Sequence, residues 1–454
     1  MTRKPRTDLT QFGAAALAGL VADGRESAEQ VTRAFLDRIA AEDSSIEAWA
    51  HVDPEYALQQ ARALDRHRQT GRTLGPLHGV PVGIKDIIDV HGLPCENGTP
   101  LDAGRMAPRD AAIVASLRQA GAVILGKTVT TELAVMHPGK TRNPHDAART
   151  PGGSSSGSAA AVAARMAPRA IGTQTNGSVI RPASYCGVFG FKPSRGLVSR
   201  RGILAQSPAL DSVGTFANSI GDIALVTEAI TGYDDADKAM RPSSQPALAR
   251  VAATRAPVRP ALAFVRSPVW DQAGDDMRQG FAELVETLAH VDTIVLPAPF
   301  HKAHEMHRAI MLADIARNFS RYYEQGRDRL SDTLTGMIEE GRRVLAVDYA
   351  RALDSIELLG AALDEILERY DAIVTPAATG EAPAIATTGS PAFCTLWTYC
   401  GVPTVTVPLL TGANGLPVGV QIVGARGNDA RLLRTANWIV RELSAARDAE
   451  HDVA

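Results

Sequence analysis

Residues 151–194 read PGGSSSGSAAAVAARMAPRAIGTQTNGSVIRPASYCGVFGFKPS, and they carry two clusters of small residues with hydroxyl groups. The first cluster, Gly152–Ser158, runs directly into an Ala-rich segment that favours a helix, whose first turn presents unpaired N–H groups. The second cluster is Thr175–Ser178. Small residues allow a reacting carbonyl group to reach backbone N–H groups that bulky side chains would shield. Each cluster therefore offers a candidate nucleophilic hydroxyl group.

Neither cluster supplies a base, which a serine hydroxyl needs in order to become a good nucleophile. No histidine lies in this segment, and the nearest one, His145, lies in a polar stretch typical of a loop. Lys85 is the better candidate because it stands alone in the apolar run GVPVGIKDII at residues 79–88. Burial in such a run disfavours the charged ammonium group, so we expect the pKa of Lys85 to be lowered towards neutrality.

Five segments together resemble the amidase signature family of serine hydrolases, which use a Ser-Ser-Lys triad. These segments are GVPVGIKD at 79–86, GAVILGKTVTTELA at 121–134, PGGSSSGSAAAVAA at 151–164, GTQTNGSVIRPASYCGVFGFKPS at 172–194 and GVPTVTVPLLTGANGLPVGVQIVG at 401–424. The two serines assigned below lie 24 positions apart, as they do in the family.

The resemblance implies a role for each residue of the site. Ser178 would be the nucleophile, Ser154 the bridging serine that follows a cis peptide bond, and Lys85 the base. The oxyanion hole would be formed by backbone N–H groups of Thr175, Asn176, Gly177 and Ser178.

The resemblance also implies an α/β fold with a large central mixed β-sheet and helices on both faces, and the alternation of strand and helix patterns agrees with it. We expect one domain over residues 1–454. Its parts are an N-terminal helical layer (1–75), a signature core (76–235), a loop and helical excursion over the active site (236–370), and a return to the sheet with a C-terminal helix (371–454).

The implied activity is hydrolysis of the C–N bond of carboxylic amides through a serine acyl-enzyme. A carbamate or ester hydrolase, similar to a urethanase or aryl acylamidase, could use the same triad. The amidase component of a tRNA-dependent amidotransferase, which releases ammonia from glutamine, is the third hypothesis. Departures from the family pattern at Ser156, Gln174, Asn176 and Arg181 leave the acyl and amine preference open.

Three other motifs suggest different chemistry. GAVILGKT at residues 121–128 matches a phosphate-binding loop, but its inner residues read as a buried strand. Gly153–Gly157 matches GxSxG with Ser155 at its centre, but a loop leads into it rather than a strand. His301, His304 and His307 share a spacing of three but lack an acidic partner, so a metal site is disfavoured.

The three candidate triad residues also have purely structural interpretations. Ser154 could be a helix N-cap, Ser178 an ordinary turn residue, and Lys85 could form an ion pair with Asp86 or Asp89.

Composition limits the partners. The 47 basic and 50 acidic residues give a net charge of −3, which disfavours nucleic acid or an acidic membrane as a partner. We expect a small-molecule amide or carbamate substrate, no cofactor, no metal, and a monomer or homodimer. Four scattered cysteines favour a cytoplasmic protein with reduced thiols. Basic residues 3–6 before the apolar run 12–21 only superficially resemble a secretion signal.

Overall fold

A mixed β-sheet forms the centre of the protein, as a computed structural model that describes residues 8–451 shows. Within those residues the sheet has eleven strands, in the spatial order β1-β3-β2-β4-β6-β5-β10-β11-β9-β7-β8. The strands are β1 Trp49–Val52, β2 Pro81–Lys85, β3 Val123–Thr128, β4 Arg169–Gln174, β5 Phe189–Lys192, β6 Ser212–Ala217, β7 Leu262–Val265, β8 Val291–Ile294, β9 Ala372–Pro376, β10 Thr404–Thr411 and β11 Pro417–Val423.

Fifteen α-helices accompany these strands in the described part of the chain. They are α1 Ala14–Ala22, α2 Ala28–Ile46, α3 Pro54–Gln69, α4 Ala112–Gln119, α5 Ser156–Ala163, α6 Ile180–Cys186, α7 Ile220–Ile230, α8 Leu248–Ala253, α9 Asp275–Leu288, α10 Ala303–Asn318, α11 Ser320–Gly326, α12 Asp332–Gly341, α13 Ala346–Leu367, α14 Ala392–Tyr399 and α15 Asp429–His451. Between residues 8 and 451, no helix is both long and apolar enough to cross a membrane.

Both faces of the sheet are buried, because side chains alternate across a strand and both sets are apolar. In β7, Phe264 packs into a core cluster with α9 and α15, whereas the adjacent Ala263 packs into another with α10 and α13. In β3, Val123 and Leu125 pack with α1–α3, while Ile124 faces α4 and α7. The predicted mixed sheet with helices on both faces is therefore confirmed.

Strand direction places the candidate base at the middle of one half of the sheet. β2 is parallel to both of its neighbours, β3 and β4, and every residue of β2 is buried. Because the three strands end in the same direction, Lys85 at the end of β2 lies beside the loops that follow β3 and β4. The chain thus brings the predicted base to the edge of the sheet where the second serine cluster begins.

Two local predictions differ from the structure. Residues 8–70 read as helical, but Trp49–Val52 forms an edge strand that pairs with β3, which a four-residue apolar–polar run could not reveal. The Pro, Ser, Ala and Arg composition of residues 242–260 predicts a surface loop, but Leu248–Ala253 forms a helix anchored by buried Leu248. The apolar run near the N-terminus forms α1 and packs its Leu17 into the core, whereas the basic residues 3–6 lie outside the described residues.

Candidate active site

Lys85 is completely buried, and its Nζ atom touches two hydroxyl groups. It lies 2.7 Å from Ser154 Oγ and 2.8 Å from Thr173 Oγ1. Burial lowers the pKa of Lys85 well below its ordinary value, and the charge of Asp211 opposes this only in part. A buried amine without a directly bonded carboxylate favours its neutral, basic form.

The ion pairs proposed for Lys85 are absent from the described residues. Asp86 lies 2.8 Å from Lys127 Nζ, and Asp89 lies 2.6 Å from Arg105. The acidic residues that follow Lys85 are thus neutralised by other cations, and the structural ion-pair interpretation is wrong. Lys127, which completes the apparent phosphate-binding motif, is buried within β3, so that interpretation is wrong as well.

Ser154 is buried and follows Gly153 through a cis peptide bond, as the family resemblance implies. It is not the N-cap of α5, because that helix begins at Ser156 and Ser155 occupies the capping position. The Ser155 hydroxyl donates to the carbonyl of Thr173 at 3.2 Å. Ser155 therefore ties its loop to β4, and the GxSxG interpretation loses its nucleophile.

Ser178 lies in the tight connection between β4 and α6, and it is only partly buried. The side chain of Gln174 organises this connection. Its Oε1 accepts hydrogen bonds from the N–H groups of Val179 at 2.8 Å and Ile180 at 3.0 Å, and its Nε2 donates to Thr398 Oγ1 at 2.9 Å. Gln174 therefore caps the first turn of α6 and holds the loop that carries Ser178.

Helix α14 holds the same loop from the other side. Thr395 Oγ1 donates to Asn176 Oδ1 at 2.7 Å, and Thr398 Oγ1 donates to the backbone carbonyl of Asn176 at 2.5 Å. Among the described residues, the N–H groups of Asn176, Gly177 and Ser178 donate no hydrogen bond. A loop with fixed carbonyls and free N–H groups has the form that an oxyanion hole requires.

Two contacts join the two serine loops. Arg181 Nη2 donates to the carbonyl of Gly153 at 2.6 Å. Gly152 packs so closely on Pro182 that an added Cβ would lie 2.9 Å from its Cα. Larger residues at position 152 would push the Ser154 loop away from the helix that follows Ser178.

Thr175 connects this loop to a buried carboxylate. Its hydroxyl lies 2.5 Å from Gln206 Oε1 and 2.6 Å from Asp211 Oδ1, although it has only one hydrogen to donate. Burial raises the pKa of Asp211 to about 6. Below about pH 6 a protonated Asp211 donates to Thr175 while Thr175 donates to Gln206, and above that pH the Asp211 carboxylate is charged and accepts from Thr175.

Ser178 lines a cavity of about 20 Å³. The helical excursion contributes its apolar wall, which includes Met311, Ile315 and Met337, and Asn176 and Arg181 also line it. The predicted excursion thus borders the candidate site. A cavity of this size admits little more than one water molecule, so the side chains that line it must move to admit a substrate.

The three histidines do not form a metal site. His307 is buried with its Nε2 at 2.9 Å from the carbonyl of Thr175, and burial lowers its pKa to about 4. His304 Nε2 lies 2.8 Å from the carbonyl of Ala392. No group of potential metal ligands occurs among the residues described. His307 instead supports the loop before the candidate nucleophile.

Sequence reasoning identified Lys85, Ser154 and the 175–178 loop but missed the residues that support them. Thr173 is a second neighbour of Lys85, and Thr398 holds the oxyanion loop. Thr173 lies inside the segment 172–194 but was given no role, and Thr398 lies far along the chain, outside the five segments. The sequence analysis noted Gln174 only as a departure from the family pattern. Its position shortly before the start of α6 could have indicated that its side chain caps that helix.

The chain is similar to known proteins in both sequence and fold. The chain is 37% identical to a glutamyl-tRNA(Gln) amidotransferase subunit of Salinispora arenicola, over 95% of this chain and 97% of that protein. The fold is similar to the peptide amidase of Stenotrophomonas maltophilia, with a TM-score of 0.83, 30% identity, and coverage of 96% of this chain and 97% of the other.

A 6-aminohexanoate cyclic dimer hydrolase has a TM-score of 0.87 and 27% identity, with coverage of 96% of this chain and 98% of that one. The model of the family described as Amidase matches residues 30–433, which include both serine clusters and Lys85. The chain therefore belongs to the Amidase family, the amidase signature hydrolases.

Proposed function

We propose that this protein hydrolyses the C–N bond of carboxylic amides through an acyl-enzyme on Ser178. The observation that carries the proposal is the 2.7 Å contact between the buried, pKa-lowered Lys85 amine and Ser154 Oγ. A lysine held neutral in this way can serve as a base near neutral pH.

In the proposed mechanism, neutral Lys85 accepts the proton of Ser154, which takes the proton of Ser178 as that hydroxyl attacks the carbonyl carbon. The tetrahedral oxyanion binds the free N–H groups of the 175–178 loop. Loss of one such donor typically costs about 3 kcal/mol. The proton then returns through Ser154 to the leaving nitrogen, because an amide anion leaves poorly. Water repeats the cycle and releases the acid.

The substrate we propose is a small molecule, because the cavity at Ser178 is small and partly apolar. The same relay supports cleavage of carbamates and esters, whose carbonyl groups undergo the same attack. We propose that the protein acts as a monomer or homodimer, without a cofactor.

A second candidate function follows from one observation, the 37% identity to an amidotransferase component over nearly the whole chain. In that role the protein would release ammonia from glutamine within a complex. Incubation of the purified chain with glutamine and with simple amides separates the two functions. Turnover of simple amides by the chain alone, with none of glutamine, excludes the amidotransferase role.

The proposed nucleophile is tested by labelling with a fluorophosphonate followed by peptide mapping. We expect the label on Ser178, no label in Ser178→Ala, and labelling at least about 100-fold slower in Ser154→Ala, because the relay to Lys85 is broken. Ser45→Ala, which changes an exposed hydroxyl, is the control. Unchanged amide hydrolysis by Ser178→Ala would disprove the mechanism.

A further inference from the structure

Asn176 places an amide side chain in the loop that carries Ser178, at a position where the chain departs from the family pattern. It is only partly buried, and it lines the small cavity at the candidate nucleophile together with Ser178. Much of the remaining wall is apolar and includes Val135, Met311 and Met337. A substrate bound at Ser178 therefore meets the amide group of Asn176 within largely apolar surroundings.

The hydrogen bonds around Asn176 determine which end of its amide group is free. Thr395 Oγ1 lies 2.7 Å from Asn176 Oδ1 and 3.1 Å from the carbonyl of Pro391. That carbonyl already accepts from the N–H groups of Cys394 at 2.8 Å and Thr395 at 3.2 Å, so both of its lone pairs are used. The single hydroxyl hydrogen of Thr395 therefore goes to Asn176 Oδ1. Within residues 8–451, Asn176 Nδ2 donates to no other residue.

Helix α14 also restrains the position of Asn176. Thr395 and Thr398 are three positions apart on this helix, so they lie on one face. Thr395 holds the side chain of Asn176, and Thr398 holds its backbone carbonyl. The methionine side chains of the wall are flexible and can shift to admit a substrate, whereas Asn176 is held at two points. Its Nδ2 group thus stays a fixed donor when the cavity opens.

We propose that Asn176 is a specificity-determining residue whose Nδ2 group donates a hydrogen bond to an ether or alkoxy oxygen of the substrate, close to the scissile carbonyl. A substrate with an apolar chain at that place displaces water from Nδ2 and leaves the donor without a partner, which costs free energy. Carbamates belong to the favoured class, because their alkoxy oxygen is attached to the carbonyl carbon. This inference rests on the proposed amide hydrolase function.

The test compares matched substrates in which an oxygen atom replaces a methylene group. Methoxyacetamide and butyramide differ in this way on the acyl side, and N-(2-methoxyethyl)acetamide and N-butylacetamide differ in this way on the amine side. The ether oxygen also changes the intrinsic reactivity, so each ratio of kcat/KM is divided by the ratio of the hydroxide-catalysed rates in solution. We expect the native protein to favour the ether by about three- to ten-fold in at least one corrected ratio.

Three variants remove the donor or release it. Asn176→Ala and Asn176→Asp lack the amide N–H groups, so the corrected ratio should fall to about one or below in both. Thr395→Val keeps the amide group but frees its orientation, so the ratio should fall part of the way. Asn414→Ala, which changes an exposed asparagine between β10 and β11, should keep the native ratio. Equal losses of activity for both members of each pair in Asn176→Ala overturn the specificity role.

A second measurement does not depend on turnover. In at least one pair, the ether should slow fluorophosphonate labelling of Ser178 in the native protein at a concentration about three- to ten-fold lower than its methylene counterpart. The difference should disappear in Asn176→Ala. Labelling of Ser178 with no preference for the ether in either pair overturns the role of Asn176 but leaves the hydrolase proposal intact. Absence of labelling at Ser178 overturns the hydrolase proposal itself.

Discussion

At the scale of single residues, the candidate chemistry depends on the electrostatic surroundings of Lys85. Within the described residues its amine hydrogen-bonds only to neutral hydroxyl groups, and the carboxylate of Asp211 acts on it through space. The neighbouring cation Lys127 is paired with Asp86. Of these two buried lysines on adjacent strands, Lys127 has a directly bonded carboxylate and Lys85 has none, so burial acts on the Lys85 amine without a paired anion to offset it.

We predict that Asp211→Asn shifts the pH dependence of hydrolysis. Activity of the native protein should rise with pH as Lys85 loses its proton, because the base must be neutral. Asp211 raises the pKa of Lys85, so its removal should lower that pKa and move the rising limb to lower pH. Asparagine can donate to Thr175 and accept from the backbone N–H groups that bond Asp211.

The measurement is the pH profile of kcat/KM for both proteins. Asp276→Asn, which changes a partly exposed carboxylate on α9, is the control. A rising limb that stays in place, or moves to higher pH, would contradict the electrostatic role of Asp211.

At the scale of elements, the connection between β4 and α6 is held by side chains from distant helices. Thr398 of α14 both accepts from Gln174 and donates to Asn176, and His307 of α10 bonds Thr175. The backbone of the loop that carries the unpaired N–H groups is thus fixed by contacts to its carbonyl groups and to Gln174. This prior fixation lowers the reorganisation that an oxyanion would otherwise require.

We predict that Thr398→Val lowers kcat about ten-fold or more with little change in KM. The reason is that the fixed loop stabilises the transition state more than it stabilises the bound substrate. Gln174 Nε2 would lose its partner in a buried place, which should reduce the free energy of unfolding by about 1–3 kcal/mol. Steady-state kinetics and urea denaturation measure the two effects. The control Thr254→Val alters an exposed threonine, and equal kinetics in the two variants would exclude the positioning role.

The residues that these elements bring together differ in how far the sequence could predict their roles. Lys85 was identifiable because a lysine in an apolar strand is exceptional, and the serines because Gly and Ser cluster before helix patterns. Thr398 and Asp211 carry no such signal, since a threonine on a helix and an aspartate after a loop are ordinary residues. Only the tertiary fold brings them to the loop. β1 was missed because a four-residue edge strand has too few alternations to be distinguished.

At the scale of the whole molecule, stability is coupled to pH through buried groups. His307 is neutral in the folded protein down to about pH 4, whereas an exposed histidine protonates near pH 6.5. The unfolded chain therefore binds a proton first as the pH falls. The stability present above pH 6.5 is lost progressively between about 6.5 and 4.

We predict that His307→Gln reduces this acid sensitivity, since glutamine does not titrate and its amide can still donate to Thr175. The loss of unfolding free energy between pH 7 and pH 5 should be about 2 kcal/mol smaller in the variant than in the native protein. Urea denaturation at both pH values measures it. His51→Gln, at a partly exposed position, is the control. An equal pH dependence in native protein and variant would show that His307 is not the group responsible.

The described sheet consists of two groups of strands, β1–β6 and β7–β9, and the antiparallel pair β10–β11 is the only connection between them. β10 pairs with β5 of the first group, and β11 pairs with β9 of the second. Lys85, Ser154 and Ser178 all precede this pair in the chain, and so do α10 and α12, which wall the cavity and lie between β8 and β9. During synthesis the half of the sheet that carries the proposed triad therefore leaves the ribosome with an open strand edge at β5, which stays uncovered until residues 404–423 emerge. A nascent chain arrested before that point would carry every reactive group yet expose a surface prone to aggregation.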